Sequence, residues 1–238
     1  MINERVSAIA WTESLEQSSD MIDTYIKQDS GETDSSLDGL RRIAINVLGI
    51  VGYGKSQPWS APEQKSATGY HHTFMSSLYH IVQNLIPAAF VPSNILTLPV
   101  MPRALQMAGH AMQEFPKHAE NLVDEEKSAI AAGDSTSETK NNNLMSKMVG
   151  LMHKDAQSTS KLYLSTEEIT GNLFQFTLAG YDTTANTMAY ALTMLAIQPN
   201  WQDWLIEEID QVAKESQDYE KVFPKLVKCL ALMVRCST

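Results

Sequence analysis

Cysteine is nearly absent from this 238-residue chain: Cys229 and Cys236 are the only two. They form no C-x-x-C and no framework of spaced pairs, so neither a disulfide-built fold nor a cysteine zinc site is encoded, and a reducing compartment fits. Basic charge is also short. Eighteen Lys and Arg stand against 28 Asp and Glu, for a net charge of -10. That balance excludes a nucleic-acid surface, which needs clustered cations, and a polybasic membrane anchor. Met1-Ile2-Asn3-Glu4-Arg5 carries no apolar stretch of the secretory-leader type. A bilayer-spanning run is missing too. Twenty residues between Asp182 and Asp203 lack formal charge, but they include Thr183, Thr184, Asn186, Thr187, Thr193, Gln198 and Asn200. This is too polar for a span and suits a helix buried in a globular protein. Alternating strand patterns and hairpin turns are likewise missing.

What is present is helical periodicity, which predicts an all-α fold of about eight helices. The first covers about Arg5–Lys27 and the second about Leu37–Val51, ended by Gly52, Gly54 and Pro58. A third is expected over about Ser66–Leu85. Four prolines in Ile86–Pro102 predict an irregular crossover, and the next helix covers about Arg103–Ala131, kinked or broken at Pro116. Gly133–Asn143 reads as an exposed polar linker, followed by a helix over about Leu144–Lys154. Ser165-Thr166-Glu167-Glu168 is a capping box opening a helix that continues to about Ile197. At 1.5 Å per residue that helix is roughly 50 Å long, enough to cross a domain. Pro199 opens a further helix to about Lys214, and a last one starts near Val222–Pro224.

The long helix carries the chemistry. Leu173, Phe176, Gly180, Thr183 and Thr187 step by three and four, so they share one face, which turns from apolar to polar at Gly180. A mid-helix glycine costs about 1 kcal/mol relative to alanine. One use for that cost is close approach of the backbone to a flat ligand. A threonine hydroxyl can bond back to the carbonyl one turn earlier and open a groove for a small molecule or water. Asp182 beside Thr183 places an acid next to an alcohol, a proton-relay pairing. On these residues alone, a packing notch beside a hydrogen-bonded aspartate is the other reading.

Ala179-Gly180-Tyr181-Asp182-Thr183-Thr184 resembles the oxygen-binding motif of the cytochrome P-450 central helix, A/G-G-x-D/E-T-T/S. The likeness extends along most of the chain. Ser165–Ile169 resembles the start of that helix, Gln198-Pro199-Asn200-Trp201-Gln202 the turn into the next, and Phe223-Pro224-Lys225-Leu226 with Cys229-Leu230-Ala231 the approach to a later one. Trp11 with Glu13-Ser14-Leu15, and Asn46-Val47-Leu48 with Gly52–Ser56, resemble earlier helices of fungal members of the kind found in secondary metabolism. The resemblance implies the central helical part of the P-450 fold, treated as a single partial domain over residues 1–238. It implies haem as cofactor, O2 and a small organic substrate, and NADPH-derived electrons through a cytochrome P-450 reductase. Asp182 and Thr183 would be catalytic, with Asp182 delivering protons and Thr183 hydrogen-bonding the bound oxygen. Ala179, Gly180 and Thr184 would contact the cofactor. The helix holding Phe74 and the connection Pro87–Pro102 would help form a substrate pocket.

The same family holds its iron through a cysteine thiolate in a loop of the type F-x-x-G-x-R-x-C-x-G. Neither Cys229 nor Cys236 has that surrounding, so both read as ordinary thiols and no metal ligand is assigned. The Glu-x-x-Arg pair expected after Phe223-Pro224 is also absent, as are the family's membrane anchor and the Trp/Arg helix that meets the haem propionates. The expectation is therefore of a central fragment, inactive as a monooxygenase by itself. The alternative is a non-catalytic all-helical interaction protein or inert fragment.

Two further patterns read as decoys. Gly49-Ile50-Val51-Gly52-Tyr53-Gly54-Lys55-Ser56 fits G-x-x-x-x-G-K-[ST], but a phosphate loop needs a strand before it and a helix after it. Here a helix precedes it and Pro58 follows. His71, His72 and His80 have no i,i+4 partner, and His110 and His118 read as exposed or core-edge residues.

Overall fold

The computed structural model describes residues 4–27, 33–59, 69–131, 143–155, 164–214, 216, 218–229 and 231. Among them there are helices and turns and no strand. The helices are α1 (Glu4–Ile26), α2 (Ser36–Tyr53), α3 (Phe74–Gln83), α4 (Leu85–Phe90), α5 (Ser93–Leu96), α6 (Arg103–Ala131), α7 (Leu144–Asp155), α8 (Thr166–Ile197), α9 (Pro199–Ala213) and α10 (Tyr219–Val222), followed by a 3₁₀ turn, Phe223–Lys225. None of them is long and apolar enough to cross a membrane. The chain forms two compact units. One comprises Met1–Val47 and Ala179–Thr238, the other Leu48–Leu178.

Most boundaries follow from local chemistry. The predicted capping box of α8 is reciprocal. Glu168 N donates to Ser165 Oγ at 3.2 Å, and Ser165 N donates to Glu168 Oε2 at 2.7 Å. α6 has the predicted bounds but no break, since it continues through Pro116. Pro116 lies on the exposed face, where solvent can satisfy the carbonyl that loses its helical donor. The Ile86–Pro102 crossover is more ordered than expected. Pro87 falls in the first turn of α4, where an N–H is not needed, and the Pro92 carbonyl accepts from Ile95 and Leu96 to start α5. α3 starts later than expected. Thr73 caps it by accepting from Ser76 N at 3.2 Å, while the N–H groups of His71 and His72 are taken by Glu114 of α6. The expected Gly133–Asn143 linker lies outside the described residues except for Asn143. That residue is buried and caps α7, its Oδ1 accepting from Ser146 N at 2.8 Å.

In the first unit, α1 and α2 are joined by a buried polar chain. Asn46 Nδ2 donates to Gln17 Oε1 at 2.8 Å, and Gln17 Nε2 donates to Glu13 Oε1 at 2.9 Å. The Trp11 ring packs on Tyr219 and Phe223. In the second unit the core is aromatic. Phe74 lies between Tyr53 and Phe115, with ring centres 4.6 and 5.5 Å away, and Phe115 meets Phe174. Gly109 lets α6 approach α5 closely, because a Cβ there would stand 2.8 Å from Leu96 Cβ and 3.0 Å from the Ser93 carbonyl oxygen.

The phosphate-loop lookalike is the C-terminal end of a helix. α2 runs to Tyr53, Gly54 turns the chain at φ 67°, and Lys55 N donates to the Gly49 carbonyl. Lys55 pairs with Glu125 instead of offering a free cation. A helix C-terminus presents carbonyls, the wrong pole for phosphate.

Candidate functional site

Residues 179–184 form two turns of α8 within the first unit. Their side chains diverge because successive helical residues are turned about 100° from each other. Ala179, Thr183 and Thr184 are exposed, Gly180 and Asp182 are half-buried, and Tyr181 is 1% exposed. Ala179 and Thr183 share a face, with the half-buried Thr187 and the exposed Tyr190 continuing it. One turn before Ala179 on the same helix, Phe176 is also exposed, whereas Leu173 is buried. The face expected to hold both is thus divided. Leu173 and Phe176 are about 60° apart around the axis, enough to put one in the core and one outside.

The threonines bond backward as expected of β-branched hydroxyls in a helix. Thr183 Oγ1 donates to the Ala179 carbonyl at 2.6 Å, and Thr187 Oγ1 donates to the Thr183 carbonyl at 2.8 Å. With its hydrogen engaged, the Thr183 hydroxyl presents lone pairs to the open face.

Asp182 looks elsewhere. Its Oδ1 accepts from Arg41 Nε at 3.1 Å and from Arg41 Nη2 at 3.0 Å, and its Oδ2 accepts from Asn186 Nδ2 at 3.0 Å. Arg41, on α2, is also 3.5 Å from Asp38. Burial works against the Arg41 charge, but the hydrogen bonds and charge of Asp182 outweigh it and raise its pKa. The Asp182 carboxylate remains half-exposed, so it can still bind water. Asp182 and Thr183 are adjacent in sequence but engaged in separate hydrogen bonds. Sequence reading missed Arg41 and Asn186. Asn186, at i+4 from Asp182, was findable by helical spacing. Arg41 was not, lying 141 residues away.

The described residues fit one side of a haem. Ala179 and Thr183 leave an exposed strip of small side chains on which a flat macrocycle can lie. They do not supply a cysteine thiolate for its iron. Cys229 is pushed up to about 11 by burial and by the Glu208 carboxylate beside it, so it is a neutral thiol at physiological pH. Glu208 is itself committed, accepting from the backbone N–H of Lys228 and of Cys229. In a Cys236→Ser variant, Cys229 is expected to react with iodoacetamide at pH 8 roughly a hundredfold more slowly than in the denatured chain, because two pKa units separate the thiols. Equal rates would show that folding leaves the Cys229 thiol unshifted and would remove this objection.

Phe74 is buried in the aromatic core of the second unit. The cavity beside it, lined by Tyr53, Phe115, Met145, Thr170 and Leu173, holds about 10 Å³. That is at the limit for one water and far below the volume of an organic substrate.

Comparison with known proteins gives a consistent result. The family model for cytochrome P450 matches residues 2–226. The phomenoic acid biosynthesis cluster cytochrome P450 monooxygenase of Leptosphaeria maculans is 30% identical over 98% of this chain and 42% of its own length. A cytochrome P450 monooxygenase of Arthrobotrys oligospora is 27% identical over 92% of this chain and 40% of its own. A crystal structure of the cytochrome P450DA heme domain superimposes with a TM-score of 0.61 at 15% identity, covering 89% of this chain and 41% of that one. The chain thus spans about two-fifths of the length of these relatives.

Proposed function

This chain belongs to the cytochrome P450 family, and from that premise we propose that it forms the oxygen-handling helical section of a haem monooxygenase. The reaction class inserts one atom of O2 into a small organic substrate and reduces the other to water, with electrons passed from NADPH through a reductase. Haem, when bound, supplies the iron chemistry that activates O2. The residues of this chain supply position and protons.

The observation that carries the reading is the exposed Ala179/Thr183 strip, with the Thr183 hydroxyl fixed on the Ala179 carbonyl. Ala179 and Gly180 keep the strip low, and Thr184 stands exposed beside it. Thr183 accepts a hydrogen bond in its observed rotamer and can donate one if it leaves the Ala179 carbonyl. Asp182, oriented by Arg41 and Asn186, holds water at its solvent-facing edge and passes protons toward Thr183.

Haemin titration of the purified chain tests the seat. Saturable binding is expected, and Ala179→Trp or Thr183→Trp should weaken it more than tenfold by blocking the strip. Under reduction with carbon monoxide, the bound haem should lack a thiolate-type Soret band, consistent with the neutral Cys229. Binding indifferent to both tryptophans would refute the seat, and a thiolate-type band in the Cys236→Ser chain would refute the assignment of Cys229.

A further inference from the structure

Five of the six histidines, His71, His72, His80, His110 and His118, lie in the second unit, just before or within α3 and within α6. Their roles differ. His118 Nε2 donates to the His72 carbonyl at 3.0 Å, so that nitrogen is committed. His72 and His80 face each other with ring centres 4.7 Å apart, but both are buried. His71 and His110 are the accessible pair: His71 is exposed, His110 is half-exposed, and their ring centres are 4.3 Å apart.

That separation matches two imidazoles bound to one cation. With metal–nitrogen bonds of about 2.0–2.1 Å, each ring centre stands about 3.2 Å from the metal. Centres 4.3 Å apart then subtend slightly less than a right angle at it. A right angle is the cis angle of square-planar and octahedral coordination and is tighter than the tetrahedral angle zinc prefers.

The positions are also held in advance. Glu114, one turn after His110 on α6, is buried and accepts from His71 N at 2.7 Å and from His72 N at 2.9 Å. Its carboxylate is thereby committed to fixing the His71 backbone and serves as a positioning group. Among the described residues no group of three or more His, Cys, Asp or Glu is arranged to hold a metal ion. The arrangement is accordingly a two-ligand one, with remaining coordination positions open to water or an outside donor.

We infer that His71 and His110 form a surface chelate for a divalent transition cation of tetragonal preference, Cu²⁺ or Ni²⁺. The inference does not depend on the oxygenase reading. The test is calorimetric titration of the untagged chain with Ni²⁺ and Cu²⁺, with Zn²⁺ as comparison and Mg²⁺ as control. The expected result is one saturable site in the micromolar range for Ni²⁺ and Cu²⁺, weaker binding of Zn²⁺ and none of Mg²⁺. His71→Asn and His110→Gln should each weaken it more than tenfold. His118→Gln should leave it unchanged. Nitrogen hyperfine structure from two imidazoles should appear in the Cu²⁺ electron paramagnetic resonance spectrum and be lost in either variant. Absence of saturable binding, or binding that survives both substitutions, would overturn the assignment. Loss in His80→Asn with His110→Gln unaffected would also overturn it, moving the site to the buried pair.

Discussion

Truncation of Tyr181 to alanine is expected to cost about 3–5 kcal/mol, the range for removing a large aromatic from a packed core. Tyr181 is 1% exposed and is among the largest fully buried side chains of the described residues. Marginal stability of about 5–15 kcal/mol leaves little to absorb such a loss, so the variant should lose much of its cooperative unfolding transition at room temperature. Tyr181→Phe keeps the ring and should cost no more than about 1.5 kcal/mol, the usual worth of a hydroxyl hydrogen bond. Thr184→Ala, at an exposed neighbour, should stay within about 0.5 kcal/mol. Urea titration followed by circular dichroism separates the three. If Tyr181→Ala unfolds at the wild-type midpoint, the ring is not a core element. The position that the motif writes as x would thus anchor the helix, while Ala179, Thr183 and Thr184 around it stay exposed.

Asp182→Asn is the second large effect. It is best read in a chimera in which the Leptosphaeria maculans relative carries this chain in place of its matching segment, a region in which 30% of residues are already identical. Removing a proton-transfer group costs about 10²–10⁴ in rate. A fall in turnover of roughly a hundredfold is expected for Asp182→Asn, with substrate KM little changed. Arg41→Gln should give a smaller fall, because it leaves the carboxylate in place but unoriented, with Asn186 alone holding it. Thr183→Ala should let oxygen consumption continue while product per O2 falls, since the hydroxyl held at 2.6 Å from the Ala179 carbonyl is lost. Full turnover in Asp182→Asn, measured beside an unsubstituted chimera that binds haem, would remove Asp182 from proton delivery.

Local rules served well where a structure is closed by neighbours in sequence. The bounds of α6, the capping box of α8 and the backward hydrogen bonds of its threonines were all legible, because each depends on residues three or four apart. The late start of α3 was not. The N–H groups of His71 and His72 find their acceptor on Glu114, 43 and 42 residues away, and no local pattern announces it. The irregular crossover was misjudged for a different reason. Prolines were read as breakers, yet Pro87 falls within a first turn and Pro92 offers only its carbonyl, where a missing N–H costs nothing.

Periodicity and capping alone marked the chain as all-helical, and the Ala179–Thr184 string in one long helix pointed to its family, because these are short-range patterns written along the backbone. Tertiary structure decided what each letter of that motif does. It turned Tyr181 into the core, left Ala179 and Thr183 on an open face, and gave Asp182 to Arg41. It also brought His71 against His110. The physical reason is common to all of these. Side chains one residue apart on a helix point about 100° apart, and which direction meets solvent, core or a distant partner is set by packing between elements far apart in sequence.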